Sequence, residues 1–298
     1  MKSEILKCLG KFPEKTSLEV KEINKIDYGD YTEILLEYNV EIGERVRSYI
    51  LIPKKEGIKP AIVAIHQHAS NWDIGKSEVV GKMDNKMFAY GLDLVKKGYV
   101  VIAPDLLCFE SRQGNEKFRT DKEMQKMYER FEFCKYILNG SCLQTKYLHD
   151  LSVAIDVLCS FEFVDKINIG VIGHSLGGQE AIWLSWYDER IKCCVSSCGV
   201  SCIKDILDYE ILHNFALYIP NISNVCDMDE IIYEISPRAV LLLSGLKDEY
   251  HFPLSGIEKI EIKNKSNLNF KSVKFDDGHK FNIHEKNIAY DFLDKYLK

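Results

Sequence analysis

The chain has 298 residues, 46% of them hydrophobic, 28% charged and 11% aromatic, and carries a formal net charge of −6. That is ample apolar material for a sizeable core, and the acidic balance excludes a basic footprint for nucleic acid or a membrane surface. No apolar run approaches the roughly 20 residues that span a bilayer, and the opening stretch MKSEILKC lacks the apolar segment of a secretion signal. Ten cysteines occur without one CxxC pair. That pattern fits free thiols better than a metal or disulfide framework, so a reducing, cytoplasmic setting is expected.

In chain order, residues about 17–25, 31–39 and 45–53 read as antiparallel strands, with Gly29-Asp30 and Ile42-Gly43 at the turns and Pro53 ending the third. Residues 61–65 are a short, wholly apolar run, as expected of a strand buried on both faces. Residues 100–103 and 239–243 repeat that pattern, and 167–172 and 270–275 are less uniform strands. Tyr147, Leu151, Ala154, Ile155 and Leu158 share one helical face, as do Ala289, Phe292, Leu293 and Tyr296 near the end. Strands alternating with helices over short connections predict one α/β domain over residues 1–298. Its sheet should be mostly parallel with helices on both faces, and residues 1–55 should add the N-terminal strands. Residues about 200–234 follow a predicted strand, are rich in Ile, Leu and aromatics, and break the rhythm. They read as a small inserted cap, and periodicity alone allows core helices equally.

The sharpest motif is Gly173-His174-Ser175-Leu176-Gly177-Gly178. Its GxSxG core follows a predicted strand and precedes a helical stretch, the setting a nucleophile elbow requires. A serine hydroxyl needs a base to become a nucleophile. In the Ser, acid, His order of this elbow, His279 follows the last predicted strand and precedes the last helix. His284 lies nearer that helix and is the weaker choice. Asp248 follows the 239–243 strand and would hold the imidazole tautomer, with Glu249 as its neighbouring rival. The Leu176 N–H at the helix start is one expected oxyanion donor. The loop His66-Gln67-His68 should supply the other, from the Gln67 N–H first and the His68 N–H second. Two histidines at i and i+2 also suggest a metal, but no further ligands converge on them in sequence, so neither metal nor cofactor is expected.

His66-Gln67-His68, Gly75-Lys76-Ser77-Glu78, Ala103-Pro104-Asp105, residues 173–178, Ser236-Pro237-Arg238 and Gly278-His279 together resemble the dienelactone hydrolase-like and acetyl-xylan-esterase-like α/β-hydrolases. The resemblance covers residues 45–298. It implies the α/β-hydrolase fold, cleavage of a small carboxylic ester through an acyl-enzyme, and Ser175, Asp248 and His279 as the triad. The dienelactone hydrolases themselves carry a cysteine nucleophile where this chain has Ser175, which points to a general esterase.

Glu110 and Arg112 lie in the loop after the 100–103 strand, on the expected active-site side of the sheet. Arg112 there would either grip a substrate carboxylate or belong to a structural ion pair. Gly75-Lys76-Ser77 imitates part of a phosphate-binding loop but lacks the glycine five positions earlier, where Ser70 stands. Two further readings keep the fold: a serine exopeptidase or amidase on the same triad, and a binding protein without catalysis.

Overall fold

The computed structural model describes residues 1–248 and 251–298. Alternating burial within each strand shows how the sheet forms. Ala61, Val63 and Ile65 enter one apolar cluster, while Ile62 and Ala64 enter the other, so both faces of one strand are covered. The strands are β1 (Lys21–Asp27), β2 (Tyr31–Glu41), β3 (Glu44–Pro53), β4 (Lys59–Ile65), β5 (Val100–Pro104), β6 (Val164–His174), β7 (Ile191–Ser197), β8 (Ala239–Gly245) and β9 (Phe270–Phe275). They join in one sheet of order β1-β2-β3-β5-β4-β6-β7-β8-β9. The pairs from β1 to β3, and β3 with β5, are antiparallel, and the rest are parallel. Edge strand β1 is exposed along its whole length, and its Lys and Glu side chains discourage pairing with another chain.

The helices are α1 (Lys2–Leu9), α2 (Lys76–Val79), α3 (Tyr90–Lys96), α4 (Lys122–Leu138), α5 (Leu143–Ser160), α6 (Leu176–Tyr187), α7 (Ile203–Asp208), α8 (Met228–Ile235), α9 (Leu254–Asn264) and α10 (Ile283–Leu297). Leu148, Leu151 and Ile155 of α5 and Ile182 of α6 pack on one face of the sheet. Leu94 of α3 and Ala289 and Leu293 of α10 pack on the other. Among the described residues no helix is long and apolar enough to cross a membrane. The cysteines are free thiols, and Cys193 and Cys194 are buried in β7.

Residues 200–234 do not form one unit. Helix α8 packs on α6 and α9 as an ordinary crossover between β7 and β8. It starts with a capping box, in which Asp227 and Glu230 satisfy each other's backbone N–H groups. The irregular part is residues 209–227, with short 3-10 turns at Phe215–Leu217 and Ile222–Asn224. Helix α4, which the sequence reading did not single out, lies beside it, and Phe133 stacks on Phe215 with a centroid distance of 5.1 Å. These two segments together form the roof over the carboxyl ends of the strands.

Candidate active site

Ser175 sits between β6 and α6 with φ 56° and ψ −122°. A non-glycine residue in that region costs on the order of 1–3 kcal/mol and persists only where its surroundings enforce it. Here a Cβ on Gly173 would lie 2.1 Å from the Gly177 carbonyl oxygen, and one on Gly177 would lie 2.1 Å from the Ile65 carbonyl oxygen. Only glycine permits this approach of β6, α6 and the end of β4. Ser175 N–H donates to Ser197 O at 2.8 Å, which ties the turn to β7. Among the described residues the Ser175 hydroxyl has no hydrogen-bond partner, and it opens on a cleft of about 710 Å³ that His279 also lines.

Asp248 and His279 come together because the loops after β8 and β9 are joined by backbone bonds. Leu246 N–H donates to Phe275 O and Lys247 N–H to Asp277 O, each at 2.9 Å. A Cβ on Gly245 would lie 2.4 Å from Gly278 O, so glycine permits the join. Asp248 Oδ2 then lies 2.7 Å from His279 Nδ1. A carboxylate accepts, so the proton is on Nδ1 and the Nε2 lone pair is free to act as a base. Asp248 Oδ1 takes a second imidazole, His251 Nδ1, at 2.9 Å, and the two rings stack at 4.7 Å. Burial pushes the Asp248 carboxyl up, but hydrogen bonds from His251 and His279 outweigh it and hold the group below its ordinary value. The sequence reading missed His251; its only signal was a position three residues after Asp248. Glu249 lies outside the described residues. Cys198 Sγ lies within 4.8 Å of the Asp248 and His279 ligand atoms, but burial pushes its thiol up to about 12 and those two atoms already bond each other.

The side chains of the two candidate residues of the oxyanion loop, Gln67 and His68, point to different places. Gln67 is buried and turns its side chain away, donating from Nε2 to Glu78 Oε1 at 2.7 Å. Burial pushes Glu78 up to about 7. His68, the second choice, lines the cleft instead. Its Nδ1 accepts from Ser70 N–H at 3.0 Å, so its proton is on Nε2, which donates to Glu129 of α4 at 3.0 Å. Trp72 Nε1 donates to the same buried carboxylate at 2.9 Å. Glu129 therefore fastens this loop to the roof. Leu176 is the first residue of α6, where the backbone N–H has no helical acceptor. His66 is tied elsewhere, through Nδ1 to Gln67 O at 2.8 Å and through Nε2 to Leu106 N at 3.2 Å, so it does not pair with His68 around an ion.

Glu110 and Arg112 are away from the cleft lining. Arg112 is buried, paired with Glu44 and, at 2.7 Å, with Asp150, and it donates to Asp105 O at 3.1 Å. Glu110 accepts from Lys76 Nζ at 2.5 Å and from Ser77 N–H at 2.9 Å, while Asp105 accepts from Lys76 N–H at 2.8 Å. Substrate contact by this pair is corrected to a structural ion-pair network. The N–H groups of the phosphate-loop look-alike bind carboxylates of the chain itself.

The model of the dienelactone hydrolase family matches residues 46–292. YtaP of Bacillus subtilis (strain 168), provisionally named a hydrolase, is 30% identical over 272 residues, which is 87% of this chain and 84% of that protein. A provisionally named acetyl xylan esterase from Bacteroides fragilis NCTC 9343 superposes with a TM-score of 0.71 at 17% identity, over 91% of this chain and 73% of its own. Acetyl xylan esterase from Paenibacillus sp. R4 gives 0.65 at 15% identity over 100% of both chains. At these identities the solved structures share the fold. The chain has the α/β-hydrolase fold and belongs to the dienelactone hydrolase family.

Proposed function

We propose that the protein is a serine hydrolase that cleaves small carboxylic esters through an acyl-enzyme. The observation that carries this reading is the 2.7 Å contact from His279 Nδ1 to Asp248, beside a cleft lined by both His279 and Ser175. His279 Nε2 takes the Ser175 proton as Oγ attacks the ester carbonyl. The oxyanion that forms accepts the N–H groups of His68 and Leu176. The imidazolium, stabilised by ionised Asp248, then protonates the leaving alkoxide. A water deprotonated by the same Nε2 attacks the acyl-enzyme, and the imidazolium returns that proton to the departing Ser175 Oγ as the acid is released. No step requires a cofactor. Solved structures of the same fold are named acetyl xylan and glucuronoyl esterases, which supports ester rather than amide substrates.

The test is turnover of a panel of esters, lactones and thioesters by wild type and Ser175→Ala. The variant should lose about 10⁴-fold or more in kcat on the best substrate with its melting curve retained. Equal turnover by the two proteins contradicts the reading.

A further inference from the structure

The roof carries a histidine whose tautomer is fixed by the fold. Asn214 Oδ1 accepts the Ala216 backbone N–H at 3.0 Å, which settles which end of the Asn214 amide is oxygen. Its NH₂ group therefore faces Gln179 Oε1 at 3.0 Å and His213 Nδ1 at 2.8 Å. An NH₂ group only donates, so Nδ1 of His213 is an acceptor and the proton of the neutral ring is on Nε2. The buried amides below keep the same polarity. Gln179 Nε2 donates at 3.2 Å to both Gln144 Oε1 and Glu180 Oε1. The ring packs edge-on against Phe252 at 4.9 Å, and Phe252 in turn stacks on His279 at 6.1 Å. Burial, with His251 and His279 nearby, pushes the His213 imidazole down to about 3, so the ring is neutral at working pH.

His213 lines the same cleft as Ser175, and among the described residues its Nε2 has no protein partner. A donor held in one tautomer, without an acceptor among the described residues and one aromatic ring away from the base, is set to meet an oxygen of the bound molecule. We propose that His213 Nε2–H is a specificity-determining donor that selects esters bearing an ether, hydroxyl or carbonyl oxygen near the scissile bond over hydrocarbon esters of the same shape. This rests on the esterase reading above.

Two isosteric pairs test it: 2-methoxyethyl acetate against butyl acetate for the alcohol side, and ethyl methoxyacetate against ethyl butyrate for the acyl side. The readout is the ether-to-methylene ratio of kcat/KM in each variant divided by the wild-type ratio, which cancels intrinsic reactivity. His213→Phe keeps the ring packing and removes the donor. It should lower the ratio about 5- to 10-fold in at least one pair, the scale of one hydrogen bond. Asn214→Leu leaves the imidazole but frees its tautomer, and should lower the same ratio by a smaller factor, about 2- to 5-fold. Ratios unchanged in both pairs overturn the proposal. Nitrogen-15 NMR of the His213 ring at neutral pH gives a second readout, in which a protonated Nε2 is expected and a protonated Nδ1 overturns the inference. Failure of the esterase reading itself looks different: wild type and Ser175→Ala then show equal rates on all four esters, and the role assigned to His213 falls with that reading.

Discussion

The floor and the roof of the cleft are built differently. The floor is positioned by backbone meeting backbone: Gly173 against Gly177, Gly177 against the end of β4, and Gly245 against Gly278. The roof is positioned by side chains reaching over long sequence distances. Glu129 of α4 holds His68 and Trp72, and Asn214 reaches Gln179. The roof also leaves Leu138 and Leu212 almost fully exposed. Backbone contacts tolerate almost no substitution and suit reacting groups that must not move. Side-chain contacts can be exchanged one at a time, which suits the part of a site that selects its substrate.

The largest expected difference lies within the floor, between the two imidazoles on Asp248. Asp248→Asn keeps the shape but presents the wrong partner for the His279 tautomer, and should lower kcat about 10⁴-fold. His251→Gln removes a ring that touches Asp248 from the exposed side, and should cost less than about 10-fold, since Asp248 and His279 remain paired. Steady-state kinetics of the two variants check this, and a His251 variant as crippled as the Asp248 variant would make the second imidazole the base. Glu249→Gln belongs in the same series, and a loss confined to it would move the acid by one residue.

A step smaller is the joint between roof and floor. Glu129→Gln weakens the hold on His68, and should lower kcat by about 10- to 100-fold with little change in KM, because the oxyanion forms only during reaction. Gln67→Ala, which keeps the backbone N–H and removes only the side chain that holds Glu78, should cost less in kcat. If the order of these two is reversed, the loop is held for reaction by the contact from Gln67 to Glu78 rather than by Glu129.

This division also explains what was legible in the sequence. The GxSxG turn, the position of Asp248 after β8 and that of His279 after β9 are local signals, because strand–turn–helix geometry needs particular residues at particular spacings. The strand expected at 270–275 is β9 as it stands. The roof carries no such signal. Whether His68 or Gln67 faces the cleft is decided by Glu129, 61 residues further on. Arg112 is drawn inward by Glu44 and Asp150, 68 residues before it and 38 after, and no motif records either pairing. Helix α4 has a polar sequence that resembles any solvated helix until its Glu129 is seen to be buried.

The smallest expected effect is on stability and concerns the carboxyl beneath the roof network. Burial pushes Glu180 up to about 8, against about 4.3 in an unfolded chain. Its contribution to stability is complete below the unfolded value, and is lost progressively as pH rises to the folded one, because the unfolded chain releases a proton that the folded chain keeps. Denaturant titrations should therefore show stability falling between about pH 5 and pH 8. Glu180→Gln should flatten that slope, leaving the part due to Glu78. An unchanged slope in the variant would mean that Glu180 is ionised in the fold.

The measurement closest to the central claim is covalent labelling. A fluorophosphonate reacts with a serine whose proton is taken by a neighbouring base, so peptide mass spectrometry of the treated protein should place one adduct, on Ser175. Labelling should be lost in Ser175→Ala and strongly slowed in His279→Ala. An adduct on another residue, or equal labelling of Ser175 when His279 is absent, would contradict the assignment of Ser175 and His279 as nucleophile and base.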